Sequence, residues 1–269
     1  MGSPCPPPPR PSRTADPAPS ARRADPDRVR AAVTAAATFG DYFVATTEPG
    51  EGTSLRDLRG DHSGLRAVVD GAAAALRVDE PRVAAAQLHY ELAERLWSLA
   101  LGTWATGELA ADLGPLRCGF TSTAVTLALP SPGGWDVADP TELAALLTHT
   151  VVDEQLRPLH DALRAVTRVA TGLLWGNAAA GLVLAARAVT RSRPDPRVGT
   201  LVTALLAAPP LRGTLDGRWD GPVTRRSCCL YYRVPNGRPC GDCPLTGAAV
   251  VGGAAARRRA HRVRSGRSG

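Results

Sequence analysis

The chain has 269 residues, 44% hydrophobic and 21% charged, enough for one sizeable core or two small domains sharing an interface. Every one of the 32 basic residues is arginine: residues 1–30 hold six Arg and three Asp, residues 254–269 six Arg and no acid, and 31–253 set 20 Arg against 22 acids. The net charge of +7 therefore belongs to the ends, and a near-neutral body argues against nucleic-acid binding by the fold.

Residues 1–27, rich in Pro, Arg, Ser and Asp, cannot bury enough surface to order themselves and read as a disordered tail, as do residues 248–269. Asp27 is placed as the N-cap of a first helix carrying Val29, Val33, Ala36 and Phe39 at helical spacing. Residues 46–64 read as a polar loop, 65–77 as a short helix, and Asp79-Glu80-Pro81 as the start of another. The strongest periodicity runs over 81–112, where Leu88, Leu92, Leu96 and Leu99 form one apolar stripe beside Trp97 and Trp104. That stripe reads as core, and His89 on it as a hydrogen-bonded helix residue.

Alternation from Phe120 to Leu129 predicts a strand, with a turn and a partner strand through Trp135 and Val137. Cys118, just before it, reads as a spare core thiol. Asp139-Pro140-Thr141-Glu142 carries a capping box for a helix to about Arg157, where Pro158 is expected to break or kink it. The helical pattern then continues to about Thr190 with Gly172 and Gly176 as joints, and Asp195-Pro196 opens a last helix to about Ala207. No apolar run is expected to approach the eighteen or so residues that cross a bilayer. The first residues lack the apolar core of a signal peptide, so a cytoplasmic location is expected.

Four of the six cysteines, Cys228, Cys229, Cys240 and Cys243, fall within sixteen residues as an adjacent pair, ten intervening residues and a C-x-x-C. Thiolates are the soft ligands that iron–sulfur clusters and zinc select. Only Cys240 and Cys243 form the knuckle typical of structural zinc. Adjacent side chains diverge on an extended chain, so Cys228 and Cys229 reach one centre only from a turn. A two-iron cluster is the larger target, and spacing by itself leaves both metals open. His149 and His160, three helical turns apart with Asp153-Glu154 between them, make a weak second metal candidate. No G-x-G-x-x-G follows a strand, Gly176 to Gly181 lacks the Lys of a phosphate loop, and no G-x-S-x-G is present.

The segment Arg225-Arg226-Ser227-Cys228-Cys229-Leu230-Tyr231-Tyr232-Arg233 through Cys240-Gly241-Asp242-Cys243 resembles the C-terminal signature of the FhuF-like ferric-siderophore reductases. Leu174-Trp175-Gly176-Asn177 resembles a second segment of that family, and Glu94-Arg95-Leu96-Trp97-Ser98 a weaker third. The similarity covers roughly residues 28–247, divided into a mainly helical body, 28–222, and a motif, 223–247. It implies an α+β fold, predominantly α-helical with a small antiparallel sheet or hairpin and a C-terminal iron–sulfur loop. It further implies one [2Fe–2S] cluster held by Cys228, Cys229, Cys240 and Cys243, and one-electron reduction of a ferric siderophore in the cytoplasm. An external ferredoxin-like or flavin-dependent reductase would supply the electron. Arg225, Arg226, Arg233 and Arg238 would raise the potential and attract an anionic chelate. Tyr231 and Tyr232 would shield the cluster, Gly241 would relieve crowding, and Trp175 and Asn177 have unassigned roles nearby. The alternatives are a zinc-stabilised interaction module and a non-enzymatic iron–sulfur sensor or chaperone. A weak contact of the arginine-rich end with anionic lipid at the inner membrane face is a lesser expectation.

Overall fold

The computed structural model describes residues 21–48, 52–121 and 124–246. The expected tails lie outside them, apart from residues 21–27, where the Ala24 N–H donates to the Gly134 carbonyl at 3.0 Å. Helix α1 spans Pro26–Ala36, and its cap is Asp25 rather than Asp27: the Asp25 carboxylate accepts from the Asp27 and Arg28 amides. Pro26 fills the first turn, where a missing N–H costs nothing.

The stretch read as a polar loop holds short elements instead: β1 (Ala45–Thr46), β2 (Thr53–Ser54) and α2 (Leu55–Gly60), followed by α3 (His62–Leu76). Its polar residues are caps. Ser54 Oγ accepts from the Asp57 amide at 3.0 Å, and Asp61 Oδ1 accepts from Ser63 and Gly64.

Helix α4, Pro81–Gly107, is the axis of the molecule, about 40 Å long by its rise per residue. Leu88, Leu92, Leu96 and Leu99 are buried as read, but so are Val83, Ala93, Leu101 and Trp104 on other faces. A helix apolar all round belongs inside the protein, and α1, α3 and α7 (Thr171–Ser192) pack around it. The α4–α7 approach is close because Gly181 lacks a side chain: a Cβ there would lie 2.9 Å from Glu94 Cα. By length and composition α7 could cross a bilayer, contrary to the expectation, yet most of it is buried among the other helices.

Among the described residues the strands form three small sheets. β4 (Arg117–Phe120) and β5 (Val125–Ala128) pair antiparallel, β1 adds parallel to β5 and β2 antiparallel to β4. Cys118 lies inside β4, buried, with its thiol pushed up to about 12 by burial. β6 (Gly134–Asp136) does not pair with β5 as expected; it pairs with β3 (Leu109–Ala111), the continuation of α4. The alternating pattern specified two strands but not which edge each would meet.

Helix α5 (Pro140–Leu147) is capped by Asp139 as read and passes into a π-helical stretch, Thr148–Leu156, and then α6 (Arg157–Val166). The wider i→i+5 spacing places Pro158 in the first turn of α6, where it is tolerated, so the run continues instead of breaking. The break falls at Thr167–Ala170, where backbone turns extended; Gly172 and Gly176 sit within α7 and are not joints. Helix α8, Pro196–Ala207, matches its predicted bounds.

His160 does not face His149, whose Nε2 lies 3.4 Å from Glu154. It meets His89 of α4 instead, Nε2 to Nε2 at 2.7 Å, with Trp175 edge-on at 4.1 Å. One ring donates and the other accepts, and burial keeps both neutral. Burial holds both imidazoles well below the usual histidine range. The unfolded chain takes up these protons below about pH 6.5 and the folded chain does not, so stability is complete above that pH and falls on acidification. Each histidine contributes about 1.4 kcal/mol per pH unit below 6.5. Denaturant titrations of wild type and of His89→Leu/His160→Leu at pH 7.5, 6.5 and 5.5 check this: the variant should lose most of the acid slope.

Candidate metal centre

The site hangs on a hairpin. β7 (Leu215–Gly217) pairs with β8 (Val223–Arg225) and delivers the chain to the cysteine loop. The Arg225 amide donates to the Asp242 carbonyl at 2.9 Å, tying the start of the loop to its end. Leu230 at φ 66° and Asn236 at φ 62° take left-handed backbone, and a single 3₁₀ turn, Tyr231–Arg233, lies between them. Gly237 is where a side chain would collide, against the Tyr231 and Val234 carbonyls; Gly241 stands in open space, so the crowding expected there is absent.

The left-handed Leu230 resolves the difficulty of adjacent ligands by folding the chain back. The Leu230 amide points at Cys228 Sγ and the Leu245 amide at Cys243 Sγ, each at 3.4 Å. Cys229 Sγ lies 3.6 Å from Cys240 Sγ. Two thiolates at about 2.3 Å from one tetrahedral metal stand about 3.8 Å apart, so this pair is spaced as two ligands of one ion. Burial raises the Cys228 thiol, and the nearby Cys229 and Cys243 sulfurs add to the effect. Among the described residues no three His, Cys, Asp or Glu side chains stand close enough together for a single ion. Cys229 and Cys243 are buried, and Cys228 and Cys240 are half-buried. All four are free thiols.

One arginine enters the site. Arg225 is 1% exposed. Its Nη2 donates to Cys240 Sγ at 3.1 Å and to Asp242 Oδ1 at 2.8 Å, and its Nη1 to Asn177 Oδ1 at 2.8 Å. Its guanidinium also lies over the Tyr90 ring. Burial alone would drive the proton off, but Asp242, Cys229 and Cys240 outweigh it and hold the charge more firmly than usual. Asn177 is fixed in turn, donating Nδ2 to the Ala86 carbonyl of α4 at 2.9 Å. The Leu-Trp-Gly-Asn segment thus supplies the anchor for the arginine that touches a cysteine sulfur. Trp175, two residues away and so on the opposite face of α7, packs on His160 and does not join the network.

The other expected residues lie outside this contact. Arg226 is exposed and pairs with Asp216 at 2.7 Å, and Arg233 pairs with Glu80. Arg238, Tyr231 and Tyr232 are exposed. With three of the four arginines neutralised by carboxylates, attraction of an anionic chelate by this cluster of charge is not supported. Three contributors carried no sequence signal of their own: Asp242, which holds Arg225, Tyr90 beneath it, and Gln87, whose Nε2 donates to the Cys229 carbonyl at 2.6 Å. Gln87 and Tyr90 are three apart on α4, one face of a helix, which only the position of the loop makes meaningful.

Gly176 couples α7 to the loop. A Cβ at this position would run into Ser227 Oγ, which donates to the Gly172 carbonyl at 2.9 Å, one residue before Cys228. Gly176→Ala should therefore displace the loop and lower cluster occupancy. Gly176→Ala/Ser227→Ala should recover it, because the Ser227 Cβ is 3.7 Å from the added carbon, an ordinary contact. Visible absorption per chain reads both.

Residues 225–245 match the family model of the FhuF 2Fe-2S C-terminal domain. No curated protein matches the chain. The donor set fits that cofactor: four free thiols, two of them at the spacing of one iron's ligands, with backbone amides and one buried arginine directed at the sulfurs. The cysteine loop, residues 225–245, is thus FhuF-like, and the cofactor of that C-terminal domain is a [2Fe–2S] cluster.

Proposed function

We propose that Cys228, Cys229, Cys240 and Cys243 hold the cluster and that the protein is a cytoplasmic ferric-siderophore reductase. When bound, the cluster takes up and releases electrons singly. The chain's own residues prepare the place for it. The Leu230 and Leu245 amides and the Arg225 guanidinium direct N–H groups at three different sulfurs, favouring the form with more negative charge. Buried Cys229 and Cys243 turn one side away from water, while half-buried Cys228 and Cys240 leave edges open.

Siderophores hold ferric ion through hard oxygen donors far better than ferrous ion, so one electron loosens the complex and iron leaves. The electron comes from a separate ferredoxin-like or flavin-dependent reductase, for which the exposed Tyr231, Tyr232 and Arg238 offer a surface. The observation that carries this reading is the Cys229–Cys240 pair at 3.6 Å beside a buried, charge-holding arginine, within a matched segment that holds four free thiols. Stopped-flow mixing of the dithionite-reduced protein with ferric hydroxamates and ferric citrate tests it. Rapid cluster reoxidation together with ferrous ion captured by ferrozine is expected. Reoxidation no faster than that by dissolved oxygen alone, with no ferrous ion, would favour a sensor or chaperone.

A further inference from the structure

A cavity of about 380 Å³ opens beside half-buried Cys240, between α4, α7 and the end of the hairpin. Its walls include Tyr90, Val183, Leu184 and Arg187, and its floor includes Cys240 and Asp242. We propose that this cavity is where the ferric chelate docks, with its iron brought against the Cys240 edge of the cluster. The inference rests on the reductase reading and adds to it the place of the substrate.

Four observations favour a small chelate over a protein partner. First, the space is concave and in the size range of small-molecule sites, whereas Tyr231, Tyr232 and Arg238 make an exposed loop surface. Second, Cys240, a cysteine of the set, is among the residues that line it, so an occupant lies next to a ligand residue of the cluster. The larger groove between α3 and α4 has no cysteine in its lining and is apolar except for Gln87, Glu91 and Thr121. Third, the lining is divided as an oxygen-donor chelate requires. Val183 and Leu184 offer apolar contact to its organic periphery. Tyr90 stays a neutral hydroxyl donor, its ionisation pushed well above the usual range chiefly by burial.

Fourth, Arg187 brings a positive charge. It donates Nε to the Trp219 carbonyl at 2.7 Å and Nη2 to the Gly221 carbonyl, and among the described residues it forms no ion pair. Asp242, by contrast, is already held by Arg225. The oxygen ligands of a ferric chelate therefore meet a cation and a hydroxyl on the wall rather than a free carboxylate. The step transfers one electron: the reduced centre loses it, Fe(III) becomes Fe(II), and no bond to the protein forms.

The test uses the cluster-loaded full chain and redox-inert gallium(III) complexes, a trihydroxamate and citrate, followed by calorimetry. Leu184 lies 38% exposed at the cavity, so Leu184→Trp fills space without opening the core. Binding of at least one gallium complex to wild type is expected, weakened at least tenfold in Leu184→Trp. The visible spectrum and midpoint potential of the variant should not change. Tyr232→Ala, on the exposed loop, should bind as wild type. Equal binding by wild type and Leu184→Trp overturns the cavity assignment, as does reoxidation by ferric chelates without any gallium binding. If no ferric chelate reoxidises the reduced wild type, the reductase reading is what fails, and gallium binding decides separately whether the cavity takes a chelate.

Discussion

Cys229→Ala and Cys240→Ala should each abolish the cluster, leaving iron and acid-labile sulfide at about a tenth of the wild-type level or less, since ligand convergence is what binds such a centre. The two sulfurs stand 3.6 Å apart, the spacing of ligands to one ion, so losing either leaves that ion with a single protein thiolate. The fold should survive. The loop is joined to the body through the hairpin and through contacts such as Gln87 to the Cys229 carbonyl, while the core lies among α1, α3, α4 and α7. Far-UV circular dichroism should therefore stay close to wild type as visible absorption disappears. Cys118→Ala is the control. That thiol is buried within β4 and paired strand to strand with Leu127, and its removal should leave cluster content unchanged.

Substitution of Arg225 should have the second largest effect, because the residue carries two separable roles. Arg225→Leu leaves the Asp242 carboxylate and the Asn177 carbonyl without their donor, and breaking a buried ion pair from one side costs about 3–5 kcal/mol. The stability loss belongs at the low end, since Asp242 keeps some access to water. Arg225→Lys keeps the charge but cannot reproduce a fork that reaches Asn177, Asp242 and Cys240 together.

The electronic role is read in the midpoint potential. A positive charge at the Cys240 sulfur favours the reduced, more negative state, partly offset by Asp242. At an effective dielectric near 20, and allowing for that offset, the net effect is about 1–2 kcal/mol, roughly 40–80 mV for one electron. A redox titration followed by paramagnetic resonance should show a fall of that size in Arg225→Leu, with a smaller fall in Arg225→Lys and in Asn177→Ala. A potential unchanged in Arg225→Leu at full cluster content would remove the arginine from the electronic account.

The cysteine set was legible because all four residues lie in one short segment, so no long-range folding is needed to bring them near each other. Helix α8 and the Asp139 cap were legible for the same reason: cap, proline and periodicity are local signals. What escaped was decided by distance along the chain. Nothing in Arg225-Arg226 tells which side chain turns inward; that depends on Asn177, 48 residues earlier, and on Asp242, 17 later. Helical spacing alone sets His160 beside His149 on its own run, whereas its partner is His89, 71 residues away on α4. The β3–β6 pairing likewise depends on α4 ending beside the strand. A glycine such as Gly176 reads in sequence as a flexible joint, and in the fold it is a contact point whose partner, Ser227, lies in the cysteine loop.

The most direct measurement is the iron, acid-labile sulfide and zinc content of anaerobically purified protein, combined with a paramagnetic resonance spectrum after dithionite reduction. Cysteines that hold one [2Fe–2S] cluster give about two irons and two sulfides per chain, negligible zinc, and one unpaired spin on reduction. A colourless protein with about one zinc per chain and no sulfide would contradict the account at its root.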